Sequence, residues 1–167
     1  MVEVRDATGS TRSTVLTDAD LRRVRAVLFL NGVRGADLDD AEQEVQVRLI
    51  ERPPRTADAT AGWAAVVATR LAMDLHRREA NRRRALTRLM LNSRDTGPAV
   101  DSSLAVAVRG ALRGLDPELR AVVVLRYYAD LSVAEIAHLT DVPEGTVKSR
   151  LHRAAAVLRP ALTEETS

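Results

Sequence analysis

Apolar positions along the chain recur at intervals of three and four residues, the period of helices that bury one face. Leu21, Val24, Val27 and Leu28 form the first stripe, opened by Thr17 with Asp20 three positions on and closed at Asn31-Gly32. Leu38, Ala41, Val45 and Leu49 form a second, over about Asp37 to Glu51, which Pro53-Pro54 stops. A loop over 53–60 precedes a long helix from about Ala61, with Ala64, Val67, Ala68, Leu71 and Leu75 on its inner side. Residues 92–103 (NSRDTGPAVDSS) break the pattern, being small, polar and punctuated by Gly97-Pro98. Four shorter helices follow. The first is Leu104–Leu112, ended by Gly114, and the second opens at Asp116-Pro117-Glu118. The third opens at Ser132, with Glu135 completing a capping box, and the fourth runs from Glu144 to Leu158 and stops at Pro160. No segment sustains period-2 alternation. The pattern predicts an all-α protein of two small helical domains, 17–91 and 104–160. A flexible linker over 92–103 joins them, a mobile tail covers 1–16, and a C-terminal tail covers 161–167. No further domain is expected after Pro160.

The last two helices have the spacing of a DNA-binding helix-turn-helix: Val133–Leu139, a turn through Thr140-Asp141-Val142-Pro143, then a longer helix from Glu144. At 100° per residue, Val147, Leu151, Ala154 and Leu158 share one side and must pack inward. Gly145, Ser149, His152 and Ala156 fall opposite, flanked by Lys148 and Arg153. Small residues there permit close approach to DNA, and the donors suit base edges or phosphates. An ordinary helical hairpin with a solvated face is the plainer reading, but no acid follows Glu144 on that face.

Charge sharpens the picture. The net charge of +2 conceals a segregation. Residues 36–52 hold six acids against two arginines, a net of −4, while residues 70–94 hold eight arginines against two acids, a net of +6. Adjacent acidic and basic blocks suggest two different partners, unless they are merely solvated helix faces. Lys148 is the only lysine in the chain, so the basic set is almost purely arginine, whose planar fork suits phosphate.

Composition removes other classes. The chain has no cysteine, which excludes disulfides and Cys-ligated metal sites and fits a reducing cytoplasm. No apolar run approaches a membrane span, and no secretion signal is expected at the N-terminus. His76, His138 and His152 lack metal-ligand spacing, and neither a nucleophile triad nor a Gly-rich phosphate loop is present. Four aromatic residues are too few for a broad base-stacking platform. The sequence therefore predicts no enzyme and no cofactor.

Several of these segments together match a family. Leu115-Asp116-Pro117-Glu118-Leu119-Arg120, Leu125-Arg126-Tyr127-Tyr128, Leu131–Ala137 and the run from Val142 to Ala154 resemble the C-terminal domain of extracytoplasmic-function (ECF) sigma factors. Asp39–Val45 with Arg48-Leu49 is similar to that family's polymerase-binding helix. Trp63, Ala68, Leu71, Asp74 and Arg77-Arg78 are similar to its promoter-melting helix. The resemblance covers about residues 17–160. It departs from the family at Arg70, where many members have Asn, and at Gln46, where an aromatic residue is usual. The loop after Pro54 also lacks the family's common Phe, which leaves the minus-10 base preference open.

The resemblance implies binding to core RNA polymerase, through the coiled coil of its largest subunit and its flap, and opening of promoter DNA. Asp39, Asp40, Gln43, Glu44 and Arg48 would form the polymerase contact, although acids there also serve plain solubility. Trp63, Arg70, Asp74, Arg77 and Arg78 would meet the minus-10 element and its melted strand, with Trp63 equally readable as core. Thr146, Lys148, Ser149, Arg150, His152 and Arg153 would read the double-stranded minus-35 element. An anti-sigma factor is a further implied partner. The competing readings are a stand-alone helix-turn-helix regulator and an all-α adaptor. A plain regulator has no need of an acidic helix followed by an arginine-rich one.

Overall fold

The Thr17 hydroxyl accepts from the Asp20 amide at 3.2 Å, and the Asp20 carboxylate accepts from the Thr17 N–H at 2.9 Å. This reciprocal cap satisfies two otherwise orphaned donors and starts α1, Asp18–Leu30. The computed structural model describes residues 4–5, 11–12, 16–54, 60–86 and 103–163. Helix α2 spans Ala36–Glu51 and α3 spans Thr60–Leu86. Helices α4, Ser103–Gly114, and α5, Pro117–Val123, follow, then α6, Val133–Thr140, and α7, Glu144–Thr163. The all-α class holds. Most of the predicted linker, 92–102, lies outside the described residues, and Ser103 begins α4.

Three features depart from the pattern. Val4–Arg5 (β1) and Thr11–Arg12 (β2) pair antiparallel, Val4 opposite Arg12, inside the stretch expected to be a tail. The chain does not stop at Pro160: α7 runs through it to Thr163. Pro160 forfeits only the bond to the Ala156 carbonyl, and residue 156 is exposed, so water replaces the lost donor near the helix end. Finally, α5 passes into one π-helical turn, Val124–Tyr128, closed by a 3.0 Å bond from the Ala129 N–H to the Val124 carbonyl. That wider turn leaves Tyr127 and Tyr128 at 75% and 43% exposure.

The two helical blocks, α1–α3 and α4–α7, share one apolar core. Val24, Val27, Leu28, Val45 and Ala68 of the first belong to the same buried cluster as Leu125, Leu131, Ile136 and Val147 of the second. Leu112, Leu115 and Ala154 form a smaller cluster, against which Leu30 of α1 packs. Arg120 on α5 ties the blocks from within. Its buried guanidinium donates to the carbonyls of Leu112 (2.7 Å), Leu115 (2.9 Å), Arg113 (3.1 Å) and, across the interface, Asn31 (3.1 Å).

Candidate nucleic-acid interface

The helix-turn-helix is built by local bonds before any long-range packing. Ser132 and Glu135 form the capping box of α6, through N–H bonds of 2.7 and 3.1 Å. The Glu135 carboxyl is held below the usual glutamate range by the Ser132 hydroxyl, then by the Ser132 N–H, against a small opposing effect of burial. Asp141 takes the left-handed conformation (φ 57°) that ends α6, and the Val142 N–H returns to the Ala137 carbonyl. The Pro143 carbonyl then accepts the first amides of α7, from Thr146 and Val147. Fully buried Ile136 and Val147 set α7 against α6.

On α7, Lys148, Ser149, His152 and Arg153 stand exposed on the side away from Val147 and Ala154. Thr146 is half-buried. Arg150 is half-buried too, and its guanidinium is paired with Glu118 of α5, which draws it toward its own domain. Lys148 pairs loosely with Glu144 at 3.3 Å. Val147 and Ala154 are fully buried, whereas Leu151 and Leu158 are only half-buried.

On α3 the arginines run from Arg70 to the C-terminal end. Arg70 is exposed and donates to the Leu139 carbonyl at 2.7 Å. Arg77 pairs with Asp74 at 3.1 Å, and Arg78 points into solvent. Glu79 holds both Arg83 and Arg82 at 2.8 Å, and those guanidiniums keep its carboxyl below the usual range. Trp63 is half-buried and packs on the shared core.

On α2, Asp40, Gln43, Glu44 and Arg48 lie along one outward stripe, with Glu44 and Arg48 bonded at 2.8 Å. Asp39 is drawn aside: with Glu42 it brackets Arg25 of α1, at 2.8 and 2.6 Å, which raises the Arg25 pKa above its ordinary value. The stripe also exposes Val47 and Ile50, at 45% and 46%. Sequence reasoning missed both, though two apolar residues off the inner stripe of an acidic helix were a usable signal. It also missed an apolar groove of about 580 Å³, lined by Leu112, Val123, Tyr127, Tyr128, Leu151 and Leu158 among others. The adjacent tyrosines were the trace of it in the sequence. Among the described residues, no three His, Asp or Glu side chains gather as a metal site, and no helix is long and apolar enough to cross a membrane.

Comparison with known proteins bears on both blocks. The family model for sigma-70 region 4 matches residues 105–158, which is α4 through most of α7. The ECF RNA polymerase sigma factor SigE of Mycolicibacterium smegmatis is 32% identical, over 97% of this chain and 67% of its own. SigL of Mycobacterium tuberculosis, also an ECF RNA polymerase sigma factor, is 34% identical over 83% of this chain and 84% of its own. The chain belongs to the ECF sigma factors. In this sigma factor the region 4 match falls on the helix-turn-helix block, and the SigE likeness extends through α1–α3. The fold is shared with the sigma factor RpoE of Bartonella quintana, solved in complex with the anti-sigma factor NepR. That likeness has a TM-score of 0.70, 18% identity, and covers 87% of this chain and 92% of the other.

Proposed function

We propose that this sigma factor binds core RNA polymerase through α2 and directs it to promoters, reading the minus-35 element with α7 and the minus-10 element with α3. The observation that carries the assignment is the exposed side of α7. Lys148, Ser149, His152 and Arg153 stand free of acids beyond Glu144, on a helix braced by buried Val147 and Ala154. Arg153 and Ser149 are set for base edges and Lys148 for phosphate, with Thr146 beside the groove. Arg150, tied to Glu118, serves chiefly to orient the helix. Arg70, Arg77 and Arg78 supply phosphate neutralisation on α3, with Asp74 steering Arg77 and Trp63 near the melted strand.

The polymerase face is the stripe Asp40, Gln43, Glu44 and Arg48, with Asp39 at its border and Val47 and Ile50 adding apolar contact. The groove beside Tyr127 and Tyr128 suits an apolar helix face, as the polymerase flap would offer. Membership in a family of transcription factors supports a non-enzymatic, cytoplasmic role without a cofactor. It also favours this reading over a stand-alone regulator. The complex of the RpoE neighbour with NepR supports an anti-sigma partner here too.

Run-off transcription from a pool of genomic promoter fragments, with purified core polymerase plus and minus this chain, tests the reading. Discrete transcripts that depend on the chain are expected. Their absence, with the chain folded and core polymerase active, would overturn it.

A further inference from the structure

Arg25 reaches from α1 over the flank of the acidic helix α2. Its Nη1 donates to the Asp39 carboxylate at 2.8 Å and to the Glu42 carboxylate at 2.6 Å. Asp39 stands one helical turn before Gln43, so it shares the outward side of α2 with the docking stripe. Glu42 is half-buried at the edge of that side, toward α1. The bracket does little for the fold. The Arg25 and Asp39 side chains are 48% and 62% exposed, and ion pairs open to water contribute little to stability. Val24 and Leu28 of α1 join Leu38, Ala41 and Val45 of α2 in one buried apolar cluster, and that burial is what holds the two helices together.

What the bracket does change is the charge that α2 presents. Among the described residues Asp40 has no ion pair, and Glu44 is bonded within its own helix to Arg48. Arg25 withdraws two further carboxylates from a face whose acids call for a cationic partner. It stands where a basic side chain of that partner would stand. Being part of the same chain, it is present at those carboxylates at all times. Its charge also weakens the field that draws a basic surface in from a distance.

We propose that Arg25 attenuates polymerase binding: it occupies Asp39 and Glu42 as a built-in competitor, which a basic group of core polymerase must displace to engage them. The proposal rests on the assignment of α2 as the polymerase face given above. Arg25 is a positioning residue in this scheme, because it acts through the carboxylates it holds. The affinity of the chain for core polymerase is thereby set below what its acidic helix alone would give. That difference is electrostatic, so salt removes it.

Arg25→Gln frees both carboxylates and leaves the apolar contact of α1 with α2 intact. Surface plasmon resonance of the full chain over immobilised core polymerase reads the consequence. At low salt the variant is expected to bind about threefold to tenfold tighter than the parent, mostly through faster association. The gain should vanish at ~1 M salt, where exposed charges are screened. Arg25→Lys, which keeps the cation, should show little of the gain. Adding Glu42→Gln to Arg25→Gln restores the net charge of the bracket and should give most of the gain back. A merely structural tie predicts the reverse, weaker binding of Arg25→Gln at every salt concentration. That result, unchanged binding at low salt, or a gain that survives screening overturns the proposal. So does a fall in the melting temperature of Arg25→Gln of more than ~5 °C, since an exposed bracket contributes little to folding. Failure of the underlying assignment looks different: core binding that survives Asp40→Lys with Glu44→Lys moves the docking face off α2, and the proposal falls with it.

Discussion

Arg120 shows how much one side chain can organise. Burial lowers its pKa, an effect the nearby Asp116 carboxylate partly offsets, and four carbonyl oxygens accept from its guanidinium. Three of those oxygens lie at the end of α4 and in the turn into α5, and the fourth is the last carbonyl of the α1 cap. A lysine has no planar fork to reach them together. Arg120→Lys should therefore cost at least ~2 kcal/mol, because buried acceptors lose their donors. Denaturant unfolding checks this, and a variant as stable as the parent would show that water replaces those bonds freely. Nothing in the sequence singled out Arg120: amid Leu-Asp-Pro-Glu-Leu-Arg it reads as one more surface charge, since burial of a guanidinium depends on chain segments far apart in sequence. On α7 the sequence was more legible. Its exposed side contains the expected Lys148, Ser149, His152 and Arg153, because a single helix obeys its own period. Arg153→Ala should lose ~1–3 kcal/mol at the cognate minus-35 duplex and blur preference there, whereas Lys148→Ala should weaken all duplexes about equally and lower the salt slope by about one. Val147→Ala, by contrast, should destabilise the fold by ~1–3 kcal/mol. Titration against cognate and scrambled duplexes at several salt concentrations separates these; an Arg153→Ala protein that binds both as the parent does removes α7 as the reading head.

At the scale of elements, helix starts were readable and helix ends were less so. Thr17, Asp116 and Ser132 each cap the helix their sequence context announces, because capping is a contact between near neighbours. Pro160 misled, since a proline ends a helix only when the lost bond has no substitute. The π-helical turn had no local signature at all. Its extra residue is set by how Val124 and Leu125 bury while Tyr127 and Tyr128 turn out. The capping box of α6 carries a pH dependence. The folded-state pKa of Glu135 is lowered, so its contribution is complete above the ordinary glutamate range and is lost as pH falls through the lowered folded value. Glu135→Gln keeps an oxygen acceptor for the Ser132 N–H but does not titrate. Its stability relative to the parent should accordingly improve on acidification through that range; parallel pH profiles would discount the box. Helix α2 offers a second element-scale test. Asp40→Lys with Glu44→Lys reverses charge where little is buried, so the fold should persist while pull-down of core polymerase weakens. Undiminished pull-down would move the docking face elsewhere.

At the scale of the whole molecule, class and order of elements were legible, but the relation between the two blocks was not. A change of composition over 92–103 reads as a boundary, and a boundary reads as separation. The run AAVVAT at 64–69 contained the opposite message, for a helix apolar on every side must be covered on every side. If the boundary assignment is right, brief proteolysis should cut near 92–103 before it cuts within 20–90 or 110–158. The shared core then makes a stronger prediction about the products. Leu125, Leu131, Ile136 and Val147 would remain packed with residues of α1–α3 after the chain is cut, since none of these contacts needs the peptide between the blocks. A short linker supplies a millimolar effective concentration, so the fragments are best examined at ~100 μM, where only a genuine interface keeps them together. Apolar association is also insensitive to the salt that screens exposed charge pairs. The nicked protein should elute from a sizing column as one species of the parent's size, at low salt and at ~1 M alike. Two separate peaks at both salt concentrations would mean that the blocks meet only because the linker tethers them.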